Sequence, residues 1–369
     1  MPAEKPISAH PAFAEKLRRT SRGAADNPPN RFEKLHLEPN EDWNPDDEDG
    51  GHPHGPRTQF FKDHSQTVIS RNDSPDIGFQ ASLNPYRGCE HGCIYCYARP
   101  FHEYLGFSAG LDFESKIMVK EDAPELLRKE LSSPKWSPQV IFLSGVTDCY
   151  QPVERKLKLT RRCLEVLAEF RNPVFIVTKN QLVTRDIDLL AELARHHAVG
   201  VLLSITTLDT ELRKVMEPRT SPPVARLAAI RELAEAGIPV GVNVAPIIPG
   251  LTDHEMPAIL KAAAEAGATS AGYTVVRLPH AVAPLFEQWL ERHFPDRKEK
   301  VLNRIRAMRD GKLYKSEWGK RFTGEGIFAD QIARMFDVAR RKAGIGNDGP
   351  ELSAAAFRRP GGQQLSLFS

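Results

Sequence analysis

Six short apolar segments rich in β-branched residues, separated by longer stretches of helical period, constrain this chain more than any other feature. They are FQASLN (79–84), QVIFLSG (139–145), PVFIVT (173–178), VGVLLSIT (199–206), PVGVNVAPII (239–248) and SAGYTVVRL (270–278). Near-continuous apolar runs suit strands buried on both faces, and strands alternating with helices build parallel βα units. Between them Leu157–Phe170 reads as a helix, and Ile187, Leu190 and Leu193 recur at helical spacing. Leu227, Ile230 and Leu233 do the same before Gly237, a stop signal ahead of Ile238–Pro239. The expected fold class is α/β, a partial (β/α)6 TIM-type barrel of parallel strands over 78–280. A largely disordered or surface-draped arm, 1–77, precedes it; a basic helical extension, 281–343, and a flexible tail, 344–369, follow.

A parallel barrel gathers its chemistry at the C-terminal strand ends. There the sequence sets the stretch RGCEHGCIYCYARP (87–100), with Cys89, Cys93 and Cys96 directly after the first strand. Ser144, Thr147 and Asp148 follow the second strand, Thr178 and Lys179 the third, Ser204 lies near the end of the fourth, and Asn243 lies in the fifth. Three of the five cysteines fall within eight residues, and their odd total does not suit a disulfide framework. Three thiolates can hold three irons of a cubane and leave the fourth iron without a protein ligand. Structural zinc is the alternative; His91 and His102 are near, but zinc wants four ligands and the paired C-x2-C spacing of ribbons is absent.

No run of about 18 apolar residues exists to span a bilayer, and the first residues contain no apolar signal core, so a cytoplasmic protein without membrane contact is expected. The net charge of +2 gives by itself no reason to expect nucleic acid, but its distribution is uneven. Residues 38–49 carry seven acids and no base, whereas 292–321 carry eleven Lys and Arg against four acids. That basic stretch reads either as a solvated face or as a track for a phosphate backbone.

The C-x3-C-x-Φ-C array, with Tyr95 at the aromatic position, resembles the radical S-adenosylmethionine (SAM) superfamily. VTKN (177–180), LLSIT (202–206), AGIPVGVNVAPIIPG (236–250) and the Tyr97 after the third cysteine are similar to its spore photoproduct lyase-like branch. The resemblance implies a [4Fe–4S] cluster on Cys89, Cys93 and Cys96, SAM on its open iron, and a reductant such as flavodoxin or ferredoxin. It further implies Tyr95 against the adenine, Ser144 and Gly145 near the SAM amino group, and Lys179 and Ser204 as further cofactor contacts. Tyr97 is expected as a radical relay. The lyase's hydrogen-donating thiol falls here at Gly145 or Val146, so Cys149, a few residues on, is the candidate donor; Cys163 reads as core. Glu90 and His91 are expected to shape the loop, and Arg219 to meet a carboxylate or phosphate.

The tail contains QLSLF (364–368), which resembles the motif by which bacterial repair and replication proteins dock on the sliding clamp. Gln364, Leu365, Leu367 and Phe368 would make that contact, since apolar side chains on a Gly-rich tail need a partner's groove to bury them. The expected function is therefore a radical SAM enzyme, of lyase type, in DNA repair or nucleic-acid metabolism. Modification of RNA or protein, and a non-catalytic iron–sulfur adaptor on the clamp, are the alternatives.

Overall fold

A computed structural model describes residues 22–32, 56–346 and 348–360. Ten strands occur among them: β1 (Gln59–Lys62), β2 (Ile69–Arg71), β3 (Ala81–Leu83), β4 (Tyr86–Arg87), β5 (Lys116–Val119), β6 (Ile141–Leu143), β7 (Val174–Thr178), β8 (Val199–Ser204), β9 (Val240–Ile247) and β10 (Ser270–Val275). The main sheet runs β10-β9-β8-β7-β6-β3-β2. From β3 to β10 the neighbours are parallel and follow chain order, so all six expected strands form the partial (β/α)6 sheet. β2 adds antiparallel to β3.

Burial explains why these segments are strands. The inward side chains of β6 to β9, among them Ile141, Leu143, Val174, Ile176, Val201, Leu203 and Val242, are fully enclosed in one core with the flanking helices. Helix Pro223–Glu235 buries Ala229, Ile230 and Leu233 and stops where Gly237, at φ 72°, takes a left-handed turn. There the Ile238 N–H reaches the Leu233 carbonyl at 3.0 Å, the closing bond of a Schellman motif. The helix expected over Leu157–Phe170 instead begins at Leu159, because Lys158 is left-handed at φ 50° and separates it from a short turn, Glu154–Leu157.

Parts of both the arm and the tail are packed. β1 pairs with β5, which also pairs with β4, in a second, three-stranded sheet. Gly23 and Ala24 donate backbone N–H groups to the buried Glu114 carboxylate at 2.9 and 2.8 Å. Past helix Ile327–Lys342, Gly346 bridges to Ser270, Ser353 N–H reaches the His197 carbonyl at 2.8 Å, and Arg358 N–H reaches that of Phe170 at 2.9 Å. Backbone pairing with distant segments leaves no periodicity in the sequence, which is why neither stretch looked ordered there. The acidic run 38–49 and QLSLF lie outside the described residues.

The basic extension is mostly satisfied from within. Lys298, Arg304, Arg306, Lys315, Lys320 and Arg321 pair with Glu291, Asp253, Glu299, Glu325, Glu325 and Asp76. Arg309 is buried and donates to the Val276 carbonyl at 2.7 Å. Among the described residues Arg292, Arg297, Lys300 and Lys312 have no carboxylate partner. No helix among the described residues is long and apolar enough to cross a membrane.

Candidate active site

The cysteine loop follows β3 and β4 and is clamped from behind. Arg99, fully buried, donates to the Cys93 carbonyl from Nε (3.1 Å) and Nη2 (2.9 Å), to the Ala109 and Gly110 carbonyls from Nη1, and to Glu114 at 2.5 Å. Cys89 N–H is fixed by the Phe113 carbonyl at 2.9 Å. Gly92, at φ 67°, brings the chain so close to Glu114 that a Cβ would stand 2.7 Å from its Oε2. A buried Arg–Glu pair whose remaining donors and acceptors are also satisfied is a rigid support, since removing either partner strands a charge.

Cys89 and Cys93 are buried and Cys96 is half-buried. Burial, with Glu217 and the neighbouring thiols adding to it, pushes the Cys93 thiol well up; burial and Cys89 push Cys96 to about 11. Thiols gathered this way become thiolates when a metal takes the place of the protons. Among the described residues no three His, Cys, Asp or Glu side chains converge as ligands of a single ion. In a cubane each thiolate serves a different iron, so the donor set fits an iron–sulfur cluster. His102, the other zinc candidate, has its ring against Phe107 and Phe113, and burial lowers its pKa to about 4.

Behind Tyr95 lies a buried ionic network drawn from the ends of three strands. The Tyr95 hydroxyl donates to Glu217 and lies 3.2 Å from Thr206 Oγ1. Thr206 Oγ1 stands 2.7 Å from Glu217 Oε1 and 2.8 Å from the Ala245 carbonyl. Arg226 pairs with the other Glu217 oxygen and donates to the Ser204 carbonyl at 2.8 Å. Lys179, past the end of β7, donates Nζ to the Ala245 carbonyl at 2.9 Å, lies 3.8 Å from Glu217 and stands 5.9 Å from the Tyr95 ring centre. Burial opposes the Glu217 charge, but Arg226 and then Lys179 hold its pKa down at about 2. The structure thus brings Tyr95, Lys179 and Ser204 to one place, around a carboxylate the sequence reading overlooked.

Asp148 fastens the β6 and β7 ends to the cysteine loop. It accepts from Thr178 Oγ1 at 2.8 Å and Lys179 N–H at 2.9 Å, and its Oδ2 lies 3.3 Å from His91 Nδ1. Burial disfavours a charged His91, but Asp148 and then Cys89 outweigh it and raise the ring to about 10. Glu90 reaches Arg219 at 3.1 Å, so Arg219 does meet a carboxylate, one supplied by the cysteine loop itself. Ser144, at the end of β6, is in the left-handed region at φ 84° and accepts from Cys149 N–H at 3.0 Å. A non-glycine residue held there stores backbone strain of a kind that clusters at functional sites.

Tyr97 points elsewhere. It is 42% exposed, and its hydroxyl donates to the Gly145 carbonyl at 2.6 Å. The Arg277 guanidinium lies over its ring at 4.9 Å. Cys149, the candidate hydrogen donor, is fully buried in the main core with Leu143 and Leu164, and Cys163 is buried there too. The sequence reading missed Glu217, Thr206, Arg226, Arg277 and the Arg99–Glu114 brace. Glu217 stood two residues from the noted Arg219 in MEPRTSPP, but a single acid in a polar loop carries no signal of its own.

The Radical SAM superfamily pattern matches residues 83–263. An uncharacterised protein of Mycobacterium tuberculosis is 39% identical over 60% of this chain and 65% of its own length, so the chain spans about two-thirds of that relative. One of Methanocaldococcus jannaschii is 30% identical over 62% of this chain and 81% of its own. The radical SAM Nalpha-GlyT isomerase of Pseudomonas phage M6 is 30% identical over 46% of this chain and 34% of its own. In fold the chain is similar to a spore photoproduct lyase mutant solved with AdoMet and dinucleoside spore photoproduct, with a TM-score of 0.53 and 20% identity over 77% of each chain. The cofactors that the three thiols and the strand-end groups fit are a [4Fe–4S] cluster and SAM, those of the radical SAM superfamily, to which this chain belongs.

Proposed function

We propose that the chain is a cytoplasmic radical SAM enzyme that abstracts a hydrogen atom from DNA, in repair or nucleic-acid metabolism, with flavodoxin or ferredoxin as its reductant. The observation that carries the substrate class is the rim beside the third cysteine, where Arg277 and Arg321 lie over the rings of Tyr97, Phe322 and Trp318. Aromatic faces interleaved with guanidinium groups suit bases and phosphates of a nucleic acid. The likeness in fold to spore photoproduct lyase, solved with a dinucleoside spore photoproduct, supports the same reading.

When bound, a [4Fe–4S] cluster charged by the reductant would supply the electron for reductive cleavage of SAM, and SAM the hydrogen-abstracting group. In this reading Cys89, Cys93 and Cys96 hold three irons, and Tyr95 offers its ring to the adenine. Lys179 gives its ammonium to the SAM carboxylate, and Ser144, Gly145 and Ser204 line the remainder. Glu217 and Arg226 hold Tyr95 and Lys179 in position. Tyr97, half-exposed and tethered through its hydroxyl, is the residue for relaying a hydrogen atom, whereas Cys149 is enclosed by core.

The test is to reduce the anaerobically reconstituted protein and follow 5′-deoxyadenosine from SAM with DNA, with RNA and without either. DNA-stimulated turnover with deuterium passing from labelled DNA into 5′-deoxyadenosine is expected. Turnover stimulated by RNA or a peptide and not by DNA would move the chemistry to another substrate, and absence of any SAM cleavage would leave an iron–sulfur adaptor. QLSLF supports docking on a bacterial sliding clamp, and Leu367→Ala with Phe368→Ala is expected to abolish clamp binding while SAM cleavage persists.

A further inference from the structure

Arg277 stands apart from the other cations of the site. It follows β10, is partly buried, and has its guanidinium over two rings, 4.9 Å from the Tyr97 centre and 4.8 Å from that of Phe322. Among the described residues it has no carboxylate within ion-pair distance and donates no hydrogen bond, and its Nε is buried without a partner. Its neighbours Arg309 and Arg321 also leave Nε without a partner, but their terminal nitrogens are engaged: Arg321 pairs with Asp76 at 2.5 Å, and Arg309 donates to backbone carbonyls. A guanidinium with no acceptor among the described residues keeps its terminal donors for a ligand, and donors in a planar fork match an oxyanion. The two rings hold the guanidinium in place. Tyr97 is itself fixed, by Gly145, immediately after the third cluster cysteine.

We propose that Arg277 is the anion contact of the substrate site, taking a phosphodiester of the strand next to the nucleotide that reacts. Trp318, 53% exposed and stacked on Arg321 at 4.5 Å, gives an adjoining face on which a neighbouring base rests. This rests on the reading of DNA as substrate. It assigns Arg277 to substrate rather than to the carboxylate of SAM, which the proposed function gives to Lys179 beside Tyr95.

The experiment measures fluorescence anisotropy of a labelled single-stranded oligodeoxynucleotide on the reconstituted protein over a range of salt concentrations, together with SAM affinity. Arg277→Gln is expected to weaken oligonucleotide binding about tenfold at low salt and to make the logarithmic salt dependence shallower by about 0.7, the value of one lost phosphate contact on a single strand. Arg277→Lys keeps the charge but not the fork, so binding weakens with the slope retained. Trp318→Ala weakens binding with an unchanged slope. If Arg277→Gln fails to fold, Arg277→Lys carries the test, and wild-type affinity in it overturns the assignment. Wild-type affinity and slope in a folded Arg277→Gln overturn it as well. Weakened SAM binding with intact oligonucleotide binding gives the guanidinium to the cofactor instead. Absence of oligonucleotide binding by the wild type removes the DNA reading itself.

Discussion

Tyr95 and Tyr97 flank Cys96 and differ in nearly every physical respect. Tyr95 is enclosed, its hydroxyl in a network with Glu217, Thr206, Arg226 and Lys179 whose charges are paired. Tyr97 is half-exposed, bound to a backbone carbonyl and stacked with an arginine that has no anion among the described residues. The inner wall satisfies its own charges and so holds a fixed shape. The outer wall leaves a cation unanswered, so it has binding free energy to give to something that arrives. In the proposed reading the first wall faces the cofactor and the second an anionic substrate.

The cysteines common to both walls give the largest expected effect. Cys93→Ala should abolish both iron incorporation and SAM cleavage, read by iron content and by 5′-deoxyadenosine after dithionite; a full iron complement in that variant would show that the loop is not the ligand set. Next comes the inner wall. Glu217→Gln leaves Arg226 charged and buried without its counter-ion, a loss of about 3 to 5 kcal/mol by denaturant unfolding. The same carboxylate gives the wall a pH signature. Its folded pKa, about 2, lies below the ordinary 4.5. Its contribution is therefore complete above pH 4.5 and is lost as pH falls from 4.5 toward 2, and Glu217→Gln should flatten the wild-type slope in that window.

Lys179→Ala should lower SAM affinity roughly tenfold, as loss of one charge-assisted contact does, without bleaching the cluster's absorbance. Iron loss would instead make Lys179 part of the support for the loop. The two tyrosines provide the finest comparison. Tyr95→Phe removes a buried hydrogen bond to a charged group and should cost about 1.5 to 3 kcal/mol, while Tyr97→Phe should cost about 1 kcal/mol or less. Equal costs would mean that the two walls are not different in kind.

Much of this arrangement was legible in the residues. The six strands and their order followed from apolar runs alternating with helical period, because a strand buried on both faces cannot be written otherwise. The cysteine loop could be placed at a strand end for the same reason, and Lys179 and Ser204 with it. Glu217 and Arg277 could not be read this way. Each is a single charged residue on a loop, and its meaning comes from partners far along the chain, Tyr95 in one case and Tyr97 with Phe322 in the other. The Arg99–Glu114 brace escaped notice because buried ion pairs have no period. The packing of residues 56–77 and 348–360 was hidden too, since both are held by backbone bonds to segments that no local pattern connects with them.

The residues alone determined that three thiols sit together after the first strand of a parallel α/β sheet, since covalent spacing and side-chain period act over a few residues. The tertiary structure decided which tyrosine turns inward, which carboxylate carries its charge in the interior and which arginine is left without an anion. Those outcomes depend on desolvation and on neighbours brought close by folding, and neither is a property of a residue and its near neighbours in the chain.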